Sequence, residues 1–275
     1  MSKTIFITGA STGIGKETAL YFASKGWNVA ATMRTPEKEQ TLKSIPNVKT
    51  FHLDVMDEES IHQAITDTIA AFNSIDVVYN NAGYALVGAF EAMSNENIKR
   101  QLETNIIGVM NVTRAILPHF RAKKGGTIIN TTSMGGLLTF PLYSVYHATK
   151  WALEGFMESL QFELRQFNIK VKNVEPGVIK TDFYDRSLDF ATKPGLTTYD
   201  SYVSIANKNM LKESNNAPGP LVVAKKVFKA ANDGSYRLRY PVGGNGPLLI
   251  FIRWMLPLSW FNAIVRSVVE KGFTK

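Results

Sequence analysis

The chain reads as an α/β protein built on a doubly wound parallel sheet. Three observations predict it. Short apolar runs alternate with longer helical patterns, the signature of repeated βα units. A glycine-rich turn follows the first apolar run directly, where such sheets bind ligands. Finally, 275 residues without cysteine and without an early Pro/Gly/Ser-rich linker suit one core that needs no staples. The expectation is one domain over 1–275, with a substrate-loop region at 183–215 and a hydrophobic helical extension at 247–275.

Lys3–Thr8 reads as the first strand, and Ile14–Lys25 as a helix closed by Gly26. Asn28–Met33 is the second strand. Val48–Val55 is the third, followed by a helix through Phe72 with Asp57 as its N-cap. Ile75–Asn80 is the fourth strand, and a long helix spans about 95–121. Thr127–Thr132 is the fifth strand, and a helix follows from Ser144 to Gln166. Lys170–Glu175 is the sixth, ended by Pro176-Gly177. Parallel strands need long right-handed crossovers, so helices should cover both faces and the chemistry should lie beyond the strands' carboxyl ends.

Composition excludes several classes. No cysteine means no disulfide scaffold, no Cys-ligated zinc and no thiol nucleophile. His52, His62, His119 and His147 form no metal-binding pattern, so no metal is expected. Thirty-one basic against 23 acidic residues leave +8, which favours anionic ligands, but no basic block marks a nucleic-acid arm. Ile5–Thr8 reaches Gly9 too soon to be a signal-peptide core, and a cytoplasmic protein is expected.

Thr8-Gly9-Ala10-Ser11-Thr12-Gly13-Ile14-Gly15 lies between a strand and a helix. Glycines there let the backbone approach a pyrophosphate, and the helix N-terminus aims N–H groups at it. The bland alternative is a turn without a ligand. Tyr146 and Lys150 stand four apart on one helix, so their side chains share a face. A free phenol ionises near about pH 10, and an ammonium beside it favours the phenolate, making a usable general acid or base. An ordinary surface pair would show the same spacing. Ser133 follows the fifth strand, where its hydroxyl can bond a substrate oxygen as charge develops.

Taken in order, T-G-x-x-x-G-I-G, Asn80-Asn81-Ala82-Gly83, Ser133, Tyr146-x-x-x-Lys150 and Pro176-Gly177-Val178-Ile179-Lys180-Thr181 resemble the motifs of the short-chain dehydrogenase/reductase family, across residues 3–182. The resemblance implies a Rossmann fold and an NAD(P)-dependent oxidoreductase. Ser133, thirteen residues before Tyr146, would be the family serine, in preference to Thr131 or Thr132. Asn105 would hold a water linking Lys150 to solvent; otherwise it is a satisfied core asparagine that bends its helix. Tyr143 lies seven residues before Lys150, not four, and His147 should face elsewhere as a structural residue. Asn81, Ala82 and Gly83 would pack on the adenosine half. Asp54 and Val55 would flank the adenine, with a turn role as the competitor for Asp54. Pro176, Gly177, Val178 and Ile179 would pass the nicotinamide, and Thr181 would bond its carboxamide.

Cofactor choice turns on the end of the second strand. NAD-binding relatives place an acid there. Here Met33 is followed by Arg34, whose guanidinium suits a 2′-phosphate, so NADP(H) is preferred. Thr12 stands where a second basic residue is usual, so NAD(H) is also admitted.

Beyond Asp182, Phe183, Tyr184, Leu188 and Phe190 form either a lid over an apolar substrate or a satellite core, with Tyr184 the candidate substrate contact. A helix-like stretch follows at 199–211. Leu248, Leu249, Phe251, Trp254, Leu258, Trp260 and Phe261 are too many large apolar groups to leave in water. Arg253, Pro257 and Arg266 argue against a membrane span. Two short helices that close the pocket or meet another subunit of a homo-oligomer are preferred to lipid contact. The tail, with Arg239-Tyr240-Pro241 and Leu256-Pro257, is loosely similar to retinol and 17β-hydroxysteroid dehydrogenases. The leading expectation is an NADP(H)-dependent carbonyl–alcohol oxidoreductase for a small apolar substrate. A non-catalytic NADP(H)-binding regulator and an epimerase or dehydratase are the alternatives.

Overall fold

The computed structural model describes residues 2–181, 188–215 and 217–274, without the side chains of 213–215. The chain runs β1 (Thr4–Ile7), α1 (Gly13–Ser24), β2 (Asn28–Met33), β3 (Val48–His52), α2 (Glu58–Phe72), β4 (Val77–Asn80) and β5 (Ala85–Val87). It continues through α3 (Asn95–Leu102), α4 (Gly108–Ala122), β6 (Gly126–Thr131), α5 (Ser144–Leu164), β7 (Ile169–Pro176) and β8 (Leu188–Phe190). Then come α6 (Asp200–Asn215), α7 (Leu221–Asn232), β9 (Arg239–Val242), α8 (Gly246–Met255) and α9 (Leu258–Val269).

Seven parallel strands form one sheet in the order β3-β2-β1-β4-β6-β7-β9. The chain winds outward from β1 to β3, then returns to place β4 on the other side of β1. That reversal opens a crevice at the carboxyl ends of β1 and β4. Both faces of the sheet are covered, so β1 is buried along its whole length. Ile5 and Ile7 join the core under α1 and α7, while Phe6 joins the one under α2, α4 and α5. Asp57 caps α2, its carboxylate accepting from the N–H groups of Glu59 and Ser60.

The structure departs from the sequence reading in definite places. The third strand stops at His52 rather than Val55, because its partner β2 ends opposite, at Met33. The stretch read as one helix over 95–121 is interrupted by a π turn at Glu103–Ile107. A seventh strand, β9, completes the sheet, and a separate two-stranded ribbon pairs β5 with β8. These strands are four and three residues long, too short to show a period, and β9 contains Pro241, which an edge strand tolerates.

Candidate active site

One cavity of about 1390 Å³ runs along the carboxyl edge of the sheet. That exceeds the roughly 300–1,000 Å³ of common small-molecule sites, leaving room for a dinucleotide and a second molecule. Gly9, Ser11, Thr12, Gly13 and Ile14 line it, with Met33, Arg34, Asp54 and Val55 toward one end. Asn81, Ala82, Gly83, Ser133, Tyr146, Lys150, Pro176, Gly177, Val178, Ile179 and Thr181 line it as well. Tyr184 lies outside the described residues, as do Asp182 and Phe183.

The glycine turn needs its glycines. Gly9 and Gly13 have φ of 66° and 54°, a region L side chains rarely adopt. Thr12 begins α1 without capping it, and no acidic residue sits in the first turn. The first N–H groups of α1 are therefore left for an anion. Gly15 lies behind the turn, packed on the Gly9 carbonyl and Asn81 Nδ2. Asn81 holds the turn from β4, donating from Nδ2 to the carbonyls of Thr8 and Gly9 at 3.2 and 3.1 Å. Its own N–H and that of Ala82 donate to Thr8 Oγ1 at 3.0 and 3.1 Å. Arg34 is exposed at the β2 end of the cavity, whereas Lys16 is already paired with Glu39 at 3.1 Å. Asp54 Oδ1 accepts from the Met56 N–H at 3.0 Å, so this carboxylate does serve a turn while lining the cavity.

Near the middle of the sheet edge, α5 presents Tyr146 and Lys150 one turn apart, the ammonium 5.7 Å from the phenol ring centre. Lys150 Nζ donates to the Thr131 carbonyl at 2.8 Å. Burial pushes its pKa down to about 8, partly offset by the Glu154 carboxylate one turn on. Ser133 Oγ accepts from the Gly135 N–H at 2.9 Å, leaving its own proton to donate. Thr132 is turned away to the Val174 carbonyl, and Thr131 Oγ1 donates to Asn81 Oδ1 while lying 2.6 Å from Tyr79 Oη, whose proton it can accept. Neither competes with Ser133.

Asn105 is buried in the π turn. Its Nδ2 donates to the Tyr84 carbonyl at 2.9 Å and to Thr149 Oγ1 at 3.2 Å, and its Oδ1 accepts from the Tyr84 N–H. It ties α5 to the segment after β4, beside the cavity rather than on its lining. His147 Nδ1 lies 2.8 Å from the Gly135 carbonyl, and its Nε2 accepts from the Phe140 N–H at 2.9 Å. The neutral ring satisfies both bonds, and burial holds its pKa below the usual histidine value.

The far wall comes largely from the two C-terminal helices expected to close the pocket, although the sequence did not show which of their residues face it. Met210 and Leu211 of α6, with Leu249, Phe261, Val265 and Val269 of the last two helices, face the same cavity as Ser133 and Tyr146. No local pattern announces that choice, since these helices lie far along the chain from the sheet they cover. Sequence reasoning missed the buried cluster behind Lys150. Glu154 Oε2 accepts from Asn173 Nδ2 at 3.0 Å and from Arg239 Nε at 3.2 Å, with Glu175 nearby.

Burial, and then the Glu154 carboxylate, raise the Glu175 pKa from 4.5 to about 8, with Arg239 opposing. The folded state then binds more protons than the unfolded one between these values. The Glu175 contribution is fully present below 4.5 and is lost as pH rises through about 8. Glu175→Gln is therefore expected to flatten the fall in melting temperature between pH 4.5 and about 8. Identical slopes for both proteins would show that Glu175 is ionised in the fold.

Comparison with known proteins agrees with this geometry. Residues 3–190 match the family of short chain dehydrogenases. An uncharacterized oxidoreductase of Bacillus subtilis, YusZ, is 35% identical over 275 residues, covering 96% of this chain and 98% of its own. A 3-ketodihydrosphingosine reductase of Bacteroides thetaiotaomicron is 35% identical over 240 residues, 87% of each chain. Among solved structures, a short-chain dehydrogenase from Streptomyces avermitilis superposes with a TM-score of 0.82 at 30% identity over all of both chains. ElxO with NADP bound superposes with a TM-score of 0.76 at 28% identity, over 90% of this chain and all of its own. A parallel sheet with a glycine turn at its switch point, a Tyr–Lys pair and a serine on one cavity, and matches along the whole chain lead to one conclusion: this protein belongs to the short chain dehydrogenase family and is an NAD(P)-dependent oxidoreductase.

Proposed function

We propose that the protein is an NADP(H)-dependent carbonyl reductase or alcohol dehydrogenase for an apolar substrate. The observation that carries the reading is a single cavity lined at once by the glycine turn, Arg34, Ser133, Tyr146, Lys150 and an apolar far wall. The uncapped first turn of α1 and the positive-φ glycines fit a pyrophosphate, and Arg34 fits a 2′-phosphate. NADP bound to ElxO and the reductase named among the relatives support the same reading.

Gly9 through Gly15 would hold the phosphates, Asp54 and Val55 the adenine, and Asn81, Ala82 and Gly83 the adenosine side. Pro176, Gly177, Val178, Ile179 and Thr181 would hold the nicotinamide side. When bound, the cofactor supplies the hydride or accepts it. In the reductive direction Tyr146 donates its phenolic proton to the carbonyl oxygen. Ser133 donates a hydrogen bond to that same oxygen as charge gathers on it. Lys150, a cation anchored on the Thr131 carbonyl, favours the phenolate left behind. Asn105 fixes the position of Thr149, whose hydroxyl also donates to the Tyr146 carbonyl at 2.7 Å, and so steadies the first turn of α5.

The reading is tested by following NADPH consumption with a panel of ketones, aldehydes and quinones that differ in chain length. Turnover that improves with apolar length is expected, and no turnover of any carbonyl class would overturn it. The cofactor half has its own test in Arg34→Ala. Removing a charge-assisted phosphate contact should weaken NADPH by roughly 10- to 100-fold and leave NADH nearly unchanged. Equal weakening of both would make Arg34 a bystander.

A further inference from the structure

Helices α8 and α9 turn one side to the protein and leave the other bare. On the inner side Leu249, Ile250, Phe261 and Val265 pack with Met134 and Leu138. On the outer side Phe251, Trp254, Met255, Leu258 and Trp260 all stand in solvent, Trp254 to 80% and Trp260 to 64% of their surfaces. Neither indole N–H has a hydrogen-bond partner among the described residues. Between Gly246 and Val269 the helices carry Arg253 and Arg266 and no acidic residue, and Lys271 follows. Glu270, the nearest acid in sequence, accepts from Tyr202 Oη at 3.1 Å. Ile264 and Val268 belong to both surfaces: they line the cavity and are 40% and 48% exposed. The cavity's apolar lip is thus continuous with the bare face.

We infer that this face docks on an anionic phospholipid surface, with the cavity mouth turned toward the lipid, and that the substrate is a lipid-like carbonyl compound drawn from it. The substrate half rests on the reductase reading above; the docking half does not. Ten- and twelve-residue helices are too short to cross a bilayer, and no helix among the described residues is long and apolar enough to do so. Lying in the interface, they bury an apolar face beside basic residues, and tryptophan places its ring and its N–H at headgroup level. A second copy of the chain is the rival occupant. A two-fold contact sets one patch against itself. It would gather exposed Arg266 and half-buried Arg253 of both copies, while among the described residues the carboxylate one turn from Arg266, Glu270, is already bonded to Tyr202, and like charges oppose such a contact. Lipid phosphates answer them directly.

The whole protein is sedimented with vesicles of phosphatidylcholine alone and of phosphatidylcholine mixed with phosphatidylserine. Binding to the mixed vesicles, weakened by salt, is expected. Trp254→Ser with Trp260→Ser should lower it about tenfold or more, and Arg253→Gln with Arg266→Gln about fivefold per charge removed. None of these side chains lines the cavity, so turnover of a short soluble ketone by the variants should equal wild type. No sedimentation with anionic vesicles, or sedimentation indifferent to both double variants, overturns the docking. A concentration-dependent dimer that the tryptophan variant dissociates also overturns it, because the face is then covered by a second copy. Vesicle binding without reduction of any ketone leaves the docking standing and removes the reductase reading. Turnover of a water-dispersed long-chain ketone unaffected by adding anionic vesicles overturns the substrate half alone.

Discussion

Tyr146→Phe is expected to leave the fold and NADPH binding unchanged and to lower kcat by roughly 10²–10⁴, the range of a lost general acid. The substitution removes one oxygen and keeps the ring. Tyr146 opens α5, and its ring packs edge-on against Tyr143 with centroids 6.0 Å apart, a contact phenylalanine retains. Binding of NADPH, read by fluorescence titration, separates loss of the proton donor from loss of the site. A Phe variant that turns over at the wild-type rate would remove Tyr146 from the chemistry. Tyr143, which also lines the cavity, would then be the phenol to test.

Gly15→Ala should be nearly as damaging, through the backbone rather than through chemistry. An added Cβ would meet the Gly9 carbonyl oxygen far inside van der Waals contact and come within 2.6 Å of Asn81 Nδ2. Backbone cannot yield as the tip of a flexible chain does, so Gly9 must move and the Asn81 staple must break. A displacement of about 1 Å in a positioning loop can cost about 10²-fold in rate, and a loss of that order in NADPH-dependent turnover is expected. Gly155→Ala is the control. Gly155 is helical, nothing lies within 4 Å of the Cβ it would gain, and alanine there should add about 0.5–1 kcal/mol of stability with activity unchanged. Equal behaviour of the two variants would mean that the turn is not held as described.

Several features were legible along the chain because each is a signal within one element or one turn. Four-residue spacing puts Tyr146 and Lys150 on one helix face whatever surrounds the helix. Gly9 and Gly13 announce a turn through their own backbone freedom. The unbroken apolar run Ile5, Phe6 and Ile7 announces a strand buried on both faces. Asp57 announces the start of α2 by a hydrogen bond that is local in sequence. Family motifs placed Ser133 and Asn81 at strand ends, and the structure puts both on the cavity.

What remained hidden depends on segments far apart in sequence. In register on β4, β6 and β7, Asn80, Asn130 and Asn173 form a buried row that ends on Glu154, behind Lys150. Asparagine alone gives no hint of this, since an isolated buried amide is costly and only its partners across the sheet make it acceptable. The Thr131 carbonyl that anchors Lys150 belongs to a strand, and any other register would have withdrawn it. The pairing of β5 with β8 joins segments about a hundred residues apart in three-residue strands, where no period can be read. Most plainly, the apolar residues of α8 and α9 foretold helices that had to be covered, but not which side. Packing against Met134 and Leu138 settled the inner side. Periodicity can mark an apolar stripe, whereas what touches that stripe is decided by the elements that the rest of the fold brings within reach.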